Sequence, residues 1–171
     1  MASDDDPDDG LAGGNSPRVE QNADANDRSL SDGKHVAVRL LGGREHARSE
    51  LIRKLTQRGW SDAQSEQILE ELVELGLQSD ERFAESFVRT RVQKAYGPVR
   101  IRAELQQRGI DRAVIEQALR SEAPDWLAVA SQWYARRYGS AAIDDHKERS
   151  KRQNALARRG FTTEVIRELV N

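Results

Sequence analysis

The side chains of this sequence that could do chemistry are mostly basic, and most of these are arginine. Residues 34–171 hold 25 basic side chains, of which 20 are arginine, against 20 acidic ones. A guanidinium can bind a carboxylate or a phosphate through paired hydrogen bonds, so such a surface is typical of proteins that recognise an anionic partner. The plainer interpretation is a set of solvated helix faces, with arginine or lysine balanced by glutamate at spacings such as Glu50–Lys54 and Glu104–Arg108.

The basic residues that we predict to bind a partner fall into three clusters along the chain. They are Arg48, Arg53, Lys54, Arg58, Arg89, Arg91, Lys94, Arg100, Arg102, Arg108, Arg149, Arg152, Arg158 and Arg159. Pairing within a helix explains residues 149–159 least well, because Glu148 is the only acidic residue nearby.

The groups that catalysis or metal binding would need are missing. The three histidines, His35, His46 and His146, lack the spacing of metal ligands, and we expect them on the surface. The chain has no cysteine and no glycine-rich phosphate loop. We therefore predict a binding protein with no catalytic residue, metal or cofactor. The competing hypothesis, a hydrolase or transferase, would require catalytic turnover that substitution of a single carboxylate abolishes.

A short motif that recurs three times positions the basic clusters. A leucine lies four residues before a glycine, an arginine precedes that glycine, and a large apolar residue follows it, in segments 55–60, 105–110 and 156–161. The glycines, Gly59, Gly109 and Gly160, lie 50 and 51 residues apart. A fixed period is typical of one supersecondary unit repeated in series. We expect all three glycines to have positive φ, and Gly109, with units on both sides, to tolerate alanine least.

Each period is predicted to contain three helices, because apolar residues recur every three or four positions and no segment alternates with period two. The predicted fold is all-α: three tandem three-helix repeats, at 34–77, 78–122 and 123–171, forming an elongated curved modular array. Only 37% of residues are apolar and 33% are charged, so one small core per unit is expected.

Residues 1–33 have a different composition, with nine acidic side chains against two arginines and a net charge of −7. We predict a disordered acidic tail, which either keeps the protein soluble or competes with a polyanion for the basic repeats. The sequence shows no signal peptide and no apolar run long enough to span a membrane, so we expect a cytoplasmic protein without membrane contact.

The middle repeat carries a resemblance to a known family. Segments 80–89 (DERFAESFVR) and 96–105 (YGPVRIRAEL), continuing to Arg108, Gly109 and Ile110, resemble the central motif of the RecX family of recombination regulators. The first repeat is similar through residues 48–51 and 55–59, whereas the third lacks the Gly-Pro-x-Arg-Ile of the second. The resemblance covers residues 34–171 and is strongest over 45–120.

The resemblance implies a regulator that lies in the groove of the RecA–DNA filament, blocks filament growth, and damps ATP hydrolysis, strand exchange and co-protease activity. It thereby implies control of DNA repair, recombination and the SOS response. We expect RecA as the partner, with weak contact to single- or double-stranded DNA, and a monomeric chain. The alternative from the residues alone is a direct DNA-binding protein that does not depend on RecA, since three-helix units with a basic helix are similar to helix-turn-helix modules. A steep fall of affinity for bare DNA with salt would favour that alternative.

Overall fold

The computed structural model describes residues 29–122, 124–139, 143 and 145–170 of the chain, and the regular elements in these ranges are all helices. The helices in these ranges are α1 Leu30–Leu41, α2 Arg48–Thr56, α3 Asp62–Glu74, α4 Asp80–Gln93, α5 Pro98–Gln106, α6 Arg112–Glu122, α7 Trp126–Tyr138, α8 His146–Arg159 and α9 Thr163–Leu169. The predicted series of three three-helix units is confirmed. None of the described helices is long and apolar enough to cross a bilayer.

Each unit has its own small core, as the low apolar content predicts. In the first unit α3 packs against α1 and α2 around Leu51, Leu55 and Ile68. In the second, α4 packs against α6 around Phe83, Ile101 and other buried apolar residues. The third core is smaller and is completed by half-buried rings and aliphatic side chains of α7 and α9.

The predicted tail boundary at residue 33 is wrong for its last four residues, because α1 begins at Leu30. The hydroxyl of Ser29 accepts a hydrogen bond from the amide of Ser31 and caps the helix. Gly33 lies on the inner face of α1, where a Cβ atom would come within 2.3 Å of Ile68 and 3.0 Å of Trp60. Residues 1–28 lie outside the described part of the chain.

The recurring motif forms the same corner in all three units. The apolar residue after the glycine, which is Trp60, Ile110 or Phe161, is buried, and its amide donates to the carbonyl of the motif leucine at 3.2–3.3 Å. The predicted positive φ is confirmed at all three glycines: 99° at Gly59, 75° at Gly109 and 86° at Gly160. The left-handed glycine turns the chain so that the following side chain enters the core.

The middle helices of successive units meet end to end at these corners. At the end of α8, the carbonyls of Arg159 and Gly160 accept hydrogen bonds from Gly97 N (2.8 Å) and Val99 N (3.0 Å) at the start of α5. At the end of α5, the carbonyl of Arg108 accepts a hydrogen bond from the hydroxyl of Ser49 on α2. We call this arrangement of α8, α5 and α2 the helix column. It pairs amides and carbonyls that helix ends otherwise leave to solvent.

The corners predict different costs for replacing their glycines by alanine. At Gly109 the nearest neighbours of a Cβ atom would be Ser49 atoms at 3.7 Å, whereas at Gly160 a Cβ would lie 2.4 Å from the backbone nitrogen of Arg100. The tightest contact is therefore at Gly160 rather than at Gly109, where the repeat alone placed it. Gly109→Ala should lower the free energy of unfolding by about 1 kcal/mol, the cost of the left-handed backbone. Gly160→Ala should cost ~1–3 kcal/mol more.

Chemical denaturation of the full chain measures both costs. Gly76→Ala is the matched control, because Gly76 also has positive φ but nothing lies within 4 Å of its Cβ position. Equal losses for Gly76→Ala and Gly160→Ala would contradict the close packing of the α8 corner on α5.

Candidate partner-binding surface

The predicted partner-binding cations are concentrated on the helix column. Eleven of the fourteen lie on α2, α5 and α8 or in the corners that follow them, and the other three, Arg89, Arg91 and Lys94, lie on α4 or at its end. Because the three helices join end to end, clusters about fifty residues apart in sequence become one series of basic side chains.

A carboxylate neutralises the first junction, which we define as the contact of the Arg108 corner with α2. The carboxylate of Glu50 accepts hydrogen bonds from His46 Nδ1 and Arg44, both at 3.1 Å, and lies 3.4 Å from Arg108 Nε. Burial favours the neutral acid, but the His46 hydrogen bond and the Arg44 charge prevail and hold the pKa of Glu50 below its ordinary value.

His46 is buried, so the expectation of a surface histidine is wrong at this position. Its ring contacts Glu50. Its backbone carbonyl accepts a hydrogen bond from the side-chain amide of Gln78, in the segment that leads into the second unit. Burial, with the Arg44 charge, lowers the pKa of His46, and the contact with Glu50 offsets this only in part. The described residues hold no cluster that could bind a metal ion.

A second carboxylate, that of Glu104, neutralises two more of the predicted cations. Glu104 lies 2.8 Å from Arg100 Nε and 2.7 Å from Arg91 Nε. It does not make the predicted side-chain pair with Arg108, which instead donates to the backbone carbonyl of Glu104 at 2.7 Å. Although burial opposes ionisation, these two arginines hold the pKa of Glu104 below its ordinary value.

Ion pairs between separate helices occupy several other cations of the predicted set. Arg48 pairs with Glu66, Arg89 with Glu122, and Arg102 with Glu116. These partners are 14 to 33 residues apart in sequence, so helix periodicity could not have identified them. The plainer interpretation expected glutamate within the same helix; for these three arginines a glutamate does balance the charge, but it lies on another helix.

Arg152 does not fit the predicted partner surface. Its side chain is buried in the third unit, where it donates to Glu148 at 2.8 Å and to the hydroxyl of Tyr134 at 2.9 Å. A guanidinium held in this way stabilises the packing of α8 against α7. The sequence signal for this role is the spacing Glu148–Arg152, one helical turn.

Arg159 is used in the second junction, the contact of the α8 corner with α5. It donates to the carbonyls of Lys94 (2.8 Å) and Ala95 (3.0 Å), and its guanidinium lies over the ring of Trp133 at 4.5 Å. At the equivalent place in the first junction, Arg108 lies over Phe87 at 4.7 Å. The aromatic residues that hold these arginines were expected only as core residues.

Apart from Arg159, six predicted cations make no ion pair with any described residue. They are Arg53, Lys54, Arg58, Lys94, Arg149 and Arg158. Five of them lie on the helix column, and all except Lys54 are exposed. These side chains can bind an anionic partner without first breaking an internal ion pair, so we retain them as the strongest candidates.

Comparisons with known proteins agree with this architecture unit by unit. Family models of the first, second and third three-helix domains of RecX match residues 34–72, 79–119 and 124–170, respectively. The chain belongs to the RecX family. The regulatory protein RecX of Pseudomonas entomophila is 44% identical over 138 residues, which cover 81% of this chain and 89% of that protein. That of Chromohalobacter salexigens is 45% identical over 131 residues, covering 77% of this chain and 86% of that protein.

Solved RecX structures show the same fold. The crystal structure of RecX from Lactobacillus salivarius has a TM-score of 0.70 and 26% sequence identity, covering 82% of this chain and 94% of that one. A second RecX crystal structure has a TM-score of 0.72, covering 82% of this chain and 72% of that one. Both the family models and the crystal structures place this chain among regulatory proteins built from three-helix domains.

Removing the carboxylate at the first junction should destabilise the protein. Glu50→Gln leaves Arg44 and Arg108 close together without their shared counter-charge, so we expect the free energy of unfolding at pH 7 to fall by ~1–3 kcal/mol. Glu66→Gln, which breaks the exposed pair with Arg48, is the control and should cost at most ~1 kcal/mol. Because the pKa of Glu50 is lowered on folding, its contribution is present above about pH 4.5 and is lost at lower pH. Denaturation curves at pH 7 and pH 3.5 check both statements; equal losses for the two variants at pH 7 would contradict them.

His46 should make stability depend on pH in a separate window. Its pKa is lowered on folding, so the folded protein takes up a proton at this ring only at a lower pH than the unfolded chain, which does so near pH ~6.5. Its contribution is full above that pH and decreases as the pH falls below it. His46→Gln should therefore flatten the dependence of the melting temperature on pH between about 7.5 and 5. An unchanged slope in the variant would show that another group titrates there.

Proposed function

We propose that this protein binds the RecA nucleoprotein filament along its helix column and restrains filament growth and ATP hydrolysis. Membership of the RecX family supports the regulatory role, and the resemblance supplies RecA as the partner. The observation that carries the proposal is that exposed arginines on α2 and α8, at the two ends of the helix column, make no ion pair with a described residue. A filament presents the same anionic groups at regular intervals, which a repeat protein can match unit by unit.

The contacts in the structure also indicate which side chains to test. Reversing Arg100 or Arg102 would place a new carboxylate beside Glu104 or Glu116 and so disturb the fold. Arg53 and Arg58 are exposed on α2 and its corner, and neither makes an ion pair with a described residue. Within the described part of the chain, the Arg58 guanidinium donates to the carbonyl of Lys54 at 2.8 Å, on the same helix turn. Their reversal therefore changes the surface charge with little effect on packing.

The double variant Arg53→Glu, Arg58→Glu should raise the concentration needed for half-inhibition of DNA-dependent ATP hydrolysis by RecA about 10-fold or more, equivalent to ~1.4 kcal/mol of binding. The matched control is Arg112→Glu, Arg120→Glu, which makes the same charge change on exposed residues of α6, a helix that is not part of the column. Melting temperatures should stay close to that of the unchanged protein for both. Equal inhibition by the two variants would contradict the column as the binding surface.

Co-sedimentation separates this function from direct DNA binding. We expect the protein to sediment with RecA, single-stranded DNA and ATP, and only weakly with the same DNA alone. Nanomolar binding to bare DNA that falls steeply with salt, without any gain from RecA, would favour the direct DNA-binding alternative.

A further inference from the structure

The two junctions are built from equivalent parts, and one of the differences between them is a change of charge at a single position. Phe87 and Trp133 each carry the corner arginine on their ring. A second arginine lies four residues after each ring, Arg91 at 4.6 Å from Phe87 and Arg137 at 5.8 Å from Trp133. The repeat therefore forms the same aromatic and guanidinium framework twice.

The difference lies nine residues before each repeat glycine. In the first unit this residue is Glu50, the carboxylate that Arg44, His46 and Arg108 share. In the second unit it is Arg100. The framework that receives a carboxylate at the first junction thus receives a further cation at the second.

The result is a basic cleft of about 340 Å³ between the second and third units. It is lined by Tyr96, Arg100, Trp133, Arg137, Ala155, Arg158 and Arg159, and we call it the arginine cleft. No acidic side chain lines it within the described ranges. Glu104 pairs with Arg100, but Arg137, Arg158 and Arg159 form no ion pair with a described residue. Burial, together with like charges that include Arg100 and Arg137, holds the pKa of Arg159 below its ordinary value.

The cations of the cleft are held in position before any ligand binds. Arg100 lies 4.2 Å above the ring of Tyr96, and Arg159 is fixed by the carbonyls of Lys94 and Ala95. Such preorganisation lowers the entropy that an anion must overcome on binding. The first junction shows within the same molecule which anion this framework accepts, namely a side-chain carboxylate.

We propose that the arginine cleft binds the aspartate-rich N-terminal segment of this same chain. Residues 1–28 carry eight acidic side chains against two arginines, including the run Asp4, Asp5, Asp6, Asp8 and Asp9. At ~3.3 Å per residue, 28 residues reach up to ~90 Å, several times the ~14 Å length of the nine-residue α5 that separates the two junctions. Because the segment is tethered, its effective concentration at the cleft is in the millimolar range.

Occupation of the cleft in this way makes the segment a competitor of any anionic partner for the cations of the third unit. On binding, the segment supplies at the second junction the carboxylate charge that Glu50 supplies at the first. The inference concerns the isolated protein and does not rest on the proposed function, so the two can fail separately.

The full chain can be tested by distance measurement, because it contains no native cysteine. Nitroxide labels on Ala2→Cys and Ala157→Cys, the latter on the exposed surface beside Arg158, report the distance from the acidic run to the cleft by pulsed electron resonance. We expect a population of short distances at low ionic strength, which disappears when Asp4, Asp5, Asp6, Asp8 and Asp9 are changed to Asn. It should also disappear at about 0.5 M salt, where screening is strong.

Matched charge reversals on α8 identify the cleft as the place of binding. Arg158→Glu should abolish the short distances, whereas Arg149→Glu should leave them unchanged. Both residues are exposed on α8, and nine residues place them on opposite faces of the helix. Melting curves show that each variant is folded, and Arg158→Ala replaces Arg158→Glu if the reversal unfolds the protein.

Several results would overturn the proposal. Short distances that survive the five Asn substitutions, or that respond equally to Arg149→Glu and Arg158→Glu, would exclude specific binding of the segment in the cleft. A distance distribution insensitive to the Asn substitutions, combined with oligonucleotide binding that Arg158→Glu abolishes, would assign the cleft to nucleic acid instead.

Discussion

The rest of the structure depends on the docking of a helix corner onto the start of the preceding unit's middle helix. A helix ends with carbonyls that lack partners and begins with amides that lack partners. In this protein the two sets satisfy each other at the second junction, where Gly97 and Val99 donate to Arg159 and Gly160. The close approach requires glycine on both sides, since a Cβ at Gly97 would lie 2.3 Å from the carbonyl oxygen of Gly160. Apolar burial in such small cores would not by itself fix how neighbouring units are arranged.

The same docking determines where charge can remain exposed. At each junction the guanidinium of a corner arginine lies over an aromatic ring. At the first junction, Glu50 also balances the charge of the arginines that meet there. Arg149, which is exposed on α8 and is not part of a junction, makes no ion pair with a described residue. Arginine is thus held in place at the junctions and exposed at other positions, and the neighbours of each side chain decide which of the two occurs.

Much of the fold was predictable from sequence, because its determinants are local. The spacing of Leu55, Gly59 and Trp60, repeated twice more, predicts a helix, a left-handed stop and an inward apolar residue, and all three corners have this geometry. The start of α1 was less predictable. It depends on the contact of Gly33 with Trp60, which is about thirty residues away.

The partner surface was only partly predictable, because pairing between helices depends on tertiary structure. Nothing in the sequence around Arg102 indicates that Glu116 will be its partner. Arginine is usually an exposed residue type, yet Arg152 is buried. His46 is a similar case, since it is buried and its backbone carbonyl accepts a hydrogen bond from Gln78, which is 32 residues away. A repeat identifies which positions are equivalent, whereas the charge balance at each one depends on residues from elsewhere in the fold.

The direction of the helix column has a consequence for biosynthesis. The C-terminal end of α8 rests on α5, and that of α5 rests on α2, so every docking platform is encoded upstream of the corner that fits it. A ribosome therefore releases Ser49 before Arg108, and Gly97 before Gly160. When each later unit leaves the exit tunnel, the helix start onto which it docks has already been synthesised. The protein can therefore fold one unit at a time during translation.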